Sequence, residues 1–322
     1  MADPIAKPQT SEPSMEFTGE RFVPECTREI WYEHWHRYQF ASAVAAGKRV
    51  LDAACGEGYG SALLARSAQS VVGIDIDADA VQHARARYGN PNLRFEQGDA
   101  TALPAFATPF DLIVSFETLE HVARQDELVA GFAGALADDG LLIISSPDKR
   151  TYSDQTGFHN EFHVRELYRD EFVALLRAHF PSVRLYGQKL LFQSAIWAEG
   201  AAGEGRAMTA TVATGGVEAG LAYDPLYFIA VCAKRPVTTA LPDLALFGDR
   251  EESVYSHYNG EVRKNMAAGA RIAELEAGLD TAMRERDRLA AALERATRDA
   301  AHRTPWWRRW LGLARARTGN RE

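Results

Sequence analysis

The sequence predicts an α/β fold: a doubly wound, mostly parallel sheet of seven strands with an N-terminal helical cap and a C-terminal coiled-coil helix. Short apolar segments alternate with helical patterns, which is typical of a parallel sheet covered by helices on both faces. Aromatic residues are concentrated before the first strand, and a heptad pattern follows the last one. The segments that we interpret as strands are 49–55, 70–76, 93–99, 110–116, 140–145, 183–191 and 226–235.

Changes in composition divide the chain into parts. Residues 1–15 are rich in Pro, Ser and Thr and are expected to form a disordered tail. The stretch 199–220 shows no period, and we interpret it as a flap or a disordered loop. Helices are expected at 59–68, 77–88, 125–137 and 165–180. The other predicted parts are the cap at 16–46, the α/β domain at 47–235, a linker at 236–252, the coiled coil at 253–303 and a basic amphipathic tail at 304–322.

Charge and cysteine content exclude several classes of protein. The net charge of −8 argues against a general nucleic-acid binder, which usually presents a basic face. Cys26, Cys55 and Cys232 lie far apart, so neither a disulfide framework nor a zinc site is expected. The sequence has no signal peptide and no apolar run that could span a bilayer. The cytoplasm is therefore the expected compartment.

A glycine-rich turn follows the first predicted strand and contains Gly56, Gly58 and Gly60. Glycine is needed where the backbone approaches a ligand closely or takes a positive φ. Asp75 ends the second predicted strand, where its carboxylate can accept both hydroxyls of a ribose, and Asp99 ends the third. Such a turn at the switch point of a doubly wound sheet forms a ligand crevice.

These motifs together resemble the class I S-adenosylmethionine-dependent methyltransferase family, which has a Rossmann-like fold. A nicotinamide dehydrogenase is the alternative, but it usually shows G-x-G-x-x-G, whereas here the spacing is G-x-G-x-G. The resemblance covers about 49–234 and implies S-adenosylmethionine as cofactor. By that resemblance, Asp52, Gly56 and Gly58 surround the methionine part, Asp75 binds the ribose, Ile76 packs on the adenine, Asp99 and Ala100 border its edge, and Glu117 lies beneath the sulfonium.

The methyl acceptor is expected to be a glycan or a small molecule. The sequence lacks the Asn/Asp-Pro-Pro-aromatic motif of enzymes that methylate nucleic-acid amino groups, and the Pro-Cys nucleophile of cytosine-ring enzymes. A hydroxyl acceptor must lose its proton as the new bond forms, so a base is expected. The candidates are His121, His159 and His163. Alternatively they only orient loops, with Asn160 capping the next helix, and no metal site is expected.

The segments 17–24, 33–38 and 160–167 are similar to a bacterial subgroup associated with surface-polysaccharide (O-antigen) synthesis, whose members are often fused to glycosyltransferases. That likeness implies that the N-terminal residues cover the cofactor and the acceptor. No glycosyltransferase domain follows here, so a glycosyltransferase partner is expected to be a separate protein.

The C-terminal part predicts assembly and membrane contact. An apolar heptad seam over 254–303 predicts a coiled-coil homo-oligomer; the alternative is a single helix folded back on the domain. Residues 303–322 hold six arginines against one glutamate, with three tryptophans close together. Such an amphipathic segment favours peripheral contact with an anionic membrane, here the inner membrane face, although it could instead pack on protein.

Three functions follow in order of preference. The first is O-methylation of a saccharide or lipid-linked polysaccharide. The second is a soluble small-molecule methyltransferase whose helix only makes an oligomer. The third is a scaffold that keeps the cofactor pocket but performs no chemistry.

Overall fold

The computed structural model describes residues 29–196, 208–213, 216–237, 241–303 and 307–308. The chain separates into two compact units, which meet between Val254 and Tyr255. The predicted disordered tail, residues 16–28 of the cap and all of the basic tail except Trp307 and Arg308 lie outside the described residues.

The first unit contains the seven-stranded sheet that the sequence predicts. Its strand order is β3-β2-β1-β4-β5-β9-β6, so the chain reverses direction across the sheet between β1 and β4. All neighbouring strands are parallel except that β9 runs antiparallel to both β5 and β6. The strands are β1 (Arg49–Ala53), β2 (Ser70–Asp75), β3 (Leu93–Gln97), β4 (Phe110–Ser115), β5 (Leu136–Pro147), β6 (Ser182–Gln188) and β9 (Tyr227–Ala233).

Helices cover both faces of this sheet, because strands such as β1, β2 and β4 are buried along nearly their whole length. One core includes Leu64, Leu112 and Val231 and lies under α1 and α2. The other includes Phe132 and Phe172 and lies under α4 and α5. The helices of this unit are α1 (Glu29–Ser42), α2 (Tyr59–Ala65), α3 (Ala78–Arg87), α4 (Gln125–Ala135) and α5 (Arg169–His179), with a π-helical turn at Arg150–Asp154.

Two local expectations differ from the structure. The loop predicted at 199–220 contains a hairpin of β7 (Ala210–Ala213) and β8 (Gly216–Ala219), whose apolar alternation is hidden by small residues. Helix α5 begins at Arg169 rather than at 165, because Leu167 pairs with Asp148 in an isolated parallel bridge. The backbone N–H of Tyr168 then donates to the Glu171 carboxylate at 3.0 Å, which closes the first turn.

The second unit consists mainly of α6 (Ser253–His302), a helix of 50 residues. At about 1.5 Å per residue it is about 75 Å long. Val254, the first residue of the predicted seam, is buried, whereas its later aliphatic residues are more than half exposed: Ile272, Leu275, Leu279, Leu289 and Leu293. The helix is thus confirmed, and its pairing into a coiled coil stays a prediction. None of the described helices has the length and apolar composition needed to span a membrane.

Candidate active site

The turn between β1 and α2 is the most constrained backbone of the site. Gly56 and Gly58 have φ values of 55° and 95°, which glycine adopts without strain. A Cβ at Gly58 would lie 2.8 Å from the side chains of Ala84 and Phe95. At Gly60 a Cβ would lie 2.1 Å from the ring of Tyr38. The glycines therefore allow the turn to lie close against its neighbours, leaving room for a ligand at the strand ends.

Asp52 lies fully buried beneath this turn. It accepts hydrogen bonds from the hydroxyls of Ser61 at 2.6 Å and Tyr38 at 3.1 Å. Burial raises the pKa of the Asp52 carboxyl to about 7, against the effect of these two hydrogen bonds. Tyr38 thus connects α1 to the turn. The sequence analysis did not single out Tyr38 or Ser61, although the Gly60 position is explained only by the tyrosine ring.

Asp75 ends β2 beside the same turn and is 7% exposed. One carboxylate oxygen accepts the backbone N–H of Gly56 at 2.8 Å, and the other accepts that of Asp77 at 3.0 Å. Each carboxylate oxygen has two lone pairs and can accept more than one hydrogen bond. The adjoining Ile76 side chain is 68% exposed, as expected of a residue that packs on a flat ligand.

Asp99 follows β3 at the next strand end. One of its oxygens accepts from the backbone N–H and the hydroxyl of Thr101, both at 2.7 Å. The other lies 3.2 Å from the Arg124 guanidinium. The hydrogen bonds from Thr101, with some help from Arg124, lower the pKa of Asp99, so its carboxylate is ready to accept an amino group. Ala100 is buried beside it.

Glu117 follows β4 and adopts a left-handed conformation with φ 51°, uncommon outside glycine. Its backbone N–H donates to the Ser145 hydroxyl at 3.0 Å, and that hydroxyl donates to the Glu117 carboxylate at 2.7 Å. Arg37 of α1 lies 3.4 Å from the same carboxylate. Strain of this kind often marks a functional position, and here Ser145 and Arg37 hold it.

Arg37 is 1% exposed and lies at the centre of a polar network that the sequence analysis missed. Its Nε donates to the Gln188 side chain at 2.7 Å, and its guanidinium lies 4.3 Å over the Tyr227 ring. Glu33, one turn earlier on α1, is also buried, and this burial raises its pKa to about 7 despite Arg37 nearby. Residues of α1, β6 and β9 meet here, which no local motif could indicate.

The structure separates the three predicted bases. The rings of His121 and His163 lie 4.9 Å apart, whereas His159 is exposed and outside this pair. The backbone carbonyl of Glu120 accepts the N–H groups of Val164 and Arg165 at 2.8 and 3.0 Å, which brings the two histidines together. The Glu120 side chain is fully buried beside them.

Asn160 does not cap a helix as the sequence suggested. Its oxygen accepts the backbone N–H of Phe162 at 3.0 Å, and its nitrogen lies 3.0 Å from Nε2 of His163. Because α5 begins only at Arg169, Asn160 is too far from that helix to cap it. It shapes the loop that carries His163 instead.

A cavity of about 990 Å³ lies between α1, β6 and the loops that follow β5 and precede β9. Glu33 lines the cavity and also acts electrostatically on Arg37 and Glu117, so the cavity adjoins the buried network. Aromatic rings and charged groups share its wall, among them Tyr32, Tyr168, Tyr223, Phe247, Arg150 and Asp224.

Comparison with known proteins agrees with these features. A family profile described as a methyltransferase domain matches residues 45–187. A probable S-adenosylmethionine-dependent methyltransferase of Mycobacterium tuberculosis is 36% identical over 183 residues, covering 55% of this chain and 66% of its own length. A similar protein of Mycolicibacterium smegmatis is 36% identical over 53% of this chain and 68% of its own. A fatty-acid O-methyltransferase of M. smegmatis is 32% identical over 34% of this chain and 41% of its own.

The chain therefore belongs to the class I S-adenosylmethionine-dependent methyltransferase family, and S-adenosylmethionine is its cofactor. Its seven-stranded, Rossmann-like sheet and its glycine turn agree with that membership. The chain spans just under two thirds of the length of the M. tuberculosis relative.

Proposed function

We propose that this protein transfers the methyl group of S-adenosylmethionine to a hydroxyl of a saccharide. The observation that carries the acceptor class is the cavity of about 990 Å³ beside Glu33. Aromatic rings pack on the C–H faces of sugars, while carboxylates and guanidinium groups bind sugar hydroxyls. A wall that mixes Tyr32, Phe247, Arg150 and Asp224 suits such an acceptor.

The residues at the strand ends fit the cofactor. The glycine turn packs tightly at the end of β1, the Asp75 carboxylate accepts the N–H of Gly56 within that turn, and Ile76 offers an exposed apolar surface. Asp75 would accept ribose hydroxyls and Asp99 the adenine amino group, while Asp52 and the glycine turn would surround the methionine part. The cofactor supplies an electrophilic methyl group, so the protein mainly aligns the acceptor and excludes water.

Removal of the acceptor proton is assigned to the His121–His163 pair. A base of this kind contributes on the order of a hundred-fold or more to the rate. His159 lies outside the pair and is a weaker candidate. Glu33 lines the cavity and would orient hydroxyl groups through its carboxyl oxygens.

A second candidate acceptor is a fatty acid or another small apolar molecule. Similarity to the fatty-acid O-methyltransferase of M. smegmatis supports this candidate. The apolar side chains of Leu190, Leu191 and Leu246 in the cavity wall support it as well. The third candidate function is a scaffold that binds the cofactor without catalysis. Detection of methyl transfer to any acceptor would exclude it.

The test is transfer of a tritiated methyl group from S-adenosylmethionine into separate fractions of lipid-linked glycan, free sugars and fatty acids. Label in a glycan or sugar that survives mild alkali indicates a methyl ether and supports the proposal. Alkali-labile label in the fatty-acid fraction indicates a methyl ester and contradicts it. The Asp75→Ala variant is the control for transfer that does not depend on the site.

The surroundings of the enzyme are also part of the proposal. We infer a cytoplasmic catalytic unit that α6 assembles into a homo-oligomer. The basic tail at 304–322 would hold it at the anionic inner membrane face, where a separate glycosyltransferase acts on the same glycan. Several weak tails on one oligomer bind more strongly together than one alone.

A further inference from the structure

Glu120, His121 and His163 each offer a ligand atom, and these atoms all lie within 4.8 Å of one another. The first two follow β4, and the third reaches them from the loop before α5. The sequence predicted no metal site, because the cluster at 158–163 has no partner cluster elsewhere in the chain.

The Glu120 carboxyl is the independent observation that points to a ligand. It is 0% exposed, and neither of its oxygens has a hydrogen-bond partner among the described residues. An unsatisfied buried polar group is costly, so native proteins rarely keep one without a functional reason. The nearby cation Arg37 pairs with Glu117 rather than with Glu120.

Both histidines are already oriented as ligands. Nδ1 of His121 lies 3.0 Å from the Phe162 carbonyl, so Nδ1 carries the hydrogen and Nε2 is the ring nitrogen that can bind a metal ion. Nδ1 of His163 lies 2.6 Å from the Glu166 carboxylate, which leaves Nε2 as the ligand atom in the same way. Metal-bound histidines almost always donate their other N–H to a carboxylate or carbonyl.

The amide nitrogen of Asn160 is the group that would have to move. It lies 3.0 Å from Nε2 of His163 and occupies that lone pair. Rotation of this one half-buried side chain would free the nitrogen, because the loop backbone is held by other bonds, such as those to the Glu120 carbonyl.

We propose that Glu120, His121 and His163 bind a divalent transition-metal ion such as Zn²⁺ or Mn²⁺. Two imidazole nitrogens and one carboxylate suit these ions and leave coordination positions open, whereas Mg²⁺ prefers oxygen ligands. Glu166 supplies a further negative charge behind His163. The ion binds at the turn three residues after Glu117.

A consequence for catalysis rests on the proposed function. A metal ion lowers the pKa of a bound hydroxyl and orients it, so an acceptor oxygen on the open positions would lose its proton to solvent water more readily, and the oxygen would then take the methyl group from the sulfonium. His121 and His163 would then act as ligands instead of bases. Ion binding itself does not depend on this role.

The test is isothermal titration of the metal-free full chain with Zn²⁺, Mn²⁺ and Mg²⁺. We expect one Zn²⁺ or Mn²⁺ per chain and much weaker Mg²⁺ binding. Because loss even of a supporting group weakens metal sites about 10–100-fold, His163→Ala should weaken binding at least that much. His159→Ala, in the same loop but outside the cluster, should leave it unchanged. No binding to the wild type, or equal binding by His163→Ala, would overturn the site.

Folding of the variants is checked separately. Zn²⁺ should raise the melting temperature of the wild type and of His159→Ala, but not that of His163→Ala or Glu120→Gln. Methyl transfer that is equally fast with and without the bound ion contradicts the catalytic consequence. Ion binding in a protein that methylates no acceptor supports the site and contradicts the proposed function.

Discussion

Asp75 ends β2, and Glu120 lies in the turn that follows β4. Both carboxyl groups are buried, yet their surroundings differ. Asp75 accepts two backbone N–H groups from residues close to it in the chain or in the adjoining turn. Neither oxygen of Glu120 has a donor among the described residues. Protein donors therefore hold the Asp75 carboxylate in place, whereas the Glu120 carboxyl is buried without such a donor in the described part of the chain, and the proposed ion would supply its partner.

The site has a cofactor half and an acceptor half, which also differ in how they are assembled. The cofactor half uses consecutive strand ends, which parallel strands bring to one edge of the sheet. The acceptor half joins α1, β9 and the loop before α5, with Arg37 bound to Gln188, 151 residues away in the chain. Local sequence motifs therefore specify the cofactor half, whereas tertiary packing specifies the acceptor half.

The largest expected effect is on the close packing of the cofactor half. A Cβ at Gly60 would lie 2.1 Å from the Tyr38 ring, so Gly60→Ala must displace that ring from Asp52. We expect a loss of about 3 kcal/mol in the free energy of unfolding, measured by urea denaturation. In contrast, Gly134→Ala on α4 meets nothing within 4 Å and should stabilise by about 0.5–1 kcal/mol. Similar values for both variants would refute the packing role.

The next effect is on the affinity for the cofactor. Asp75→Ala removes an acceptor whose bonds are worth about 1.5–3 kcal/mol each, so calorimetry should show at least a ten-fold weaker binding of S-adenosylmethionine. The exposed Asp138→Ala is the control and should bind normally. Unchanged affinity of Asp75→Ala for S-adenosylmethionine would show that Asp75 does not bind the ribose.

A pH effect is expected from Asp52. Its pKa is raised from 3.8 to about 7 in the folded protein, so the folded state holds one more proton than the unfolded state between these values. This contribution to stability is complete below pH 3.8 and falls as pH rises toward 7. Relative to Asp52→Asn, the wild type should lose about 3 kcal/mol between pH 5 and pH 8.

That difference is measured by urea denaturation at each pH. Asp79→Asn, an exposed change at the start of α3, should leave the pH dependence of the wild type unaltered. Parallel curves for wild type and Asp52→Asn would mean that Asp52 stays charged over this range, so that the hydrogen bonds from Ser61 and Tyr38 outweigh the effect of burial.

Substitutions in α6 are expected to have the smallest effect on cofactor binding by the catalytic unit. Replacing Leu279 and Leu289 by Asp puts charge into the predicted seam and should lower the oligomer mass in light scattering, with cofactor affinity unchanged. Arg284→Ala, outside the seam, should keep the mass of the wild type. An unaltered mass in the double variant would contradict assembly through the seam.

The sequence predicted most of the fold because its signals are local. Strands β1, β2 and β4 are mainly apolar runs, each followed by a helical pattern, and the Gly56–Gly60 turn has its own spacing. The β7–β8 hairpin was missed because its Ala and Gly residues dilute the alternation. The start of α5 was placed too early because the Asp148–Leu167 bridge is a tertiary contact.

The same distinction between local signals and tertiary contacts applies to the residues of the candidate site. Asp52, Asp75 and Asp99 are strand-end residues that any parallel sheet would bring together, so their neighbourhood followed from the pattern. Arg37 and Glu120 were missed as functional residues, since only the fold reveals that they are buried. Charged residues on a helix or in a turn are usually exposed, and the sequence alone offers no contrary signal.

The central claim is that this methyltransferase modifies a saccharide oxygen. The most direct measurement is to locate a trideuterated methyl group from labelled S-adenosylmethionine in the product by mass spectrometry and NMR. We expect the wild type to place the label on a sugar oxygen as a methyl ether, and Asp75→Ala to form much less of this labelled ether. Label on a carboxyl group, a nitrogen or a non-sugar acceptor would contradict it.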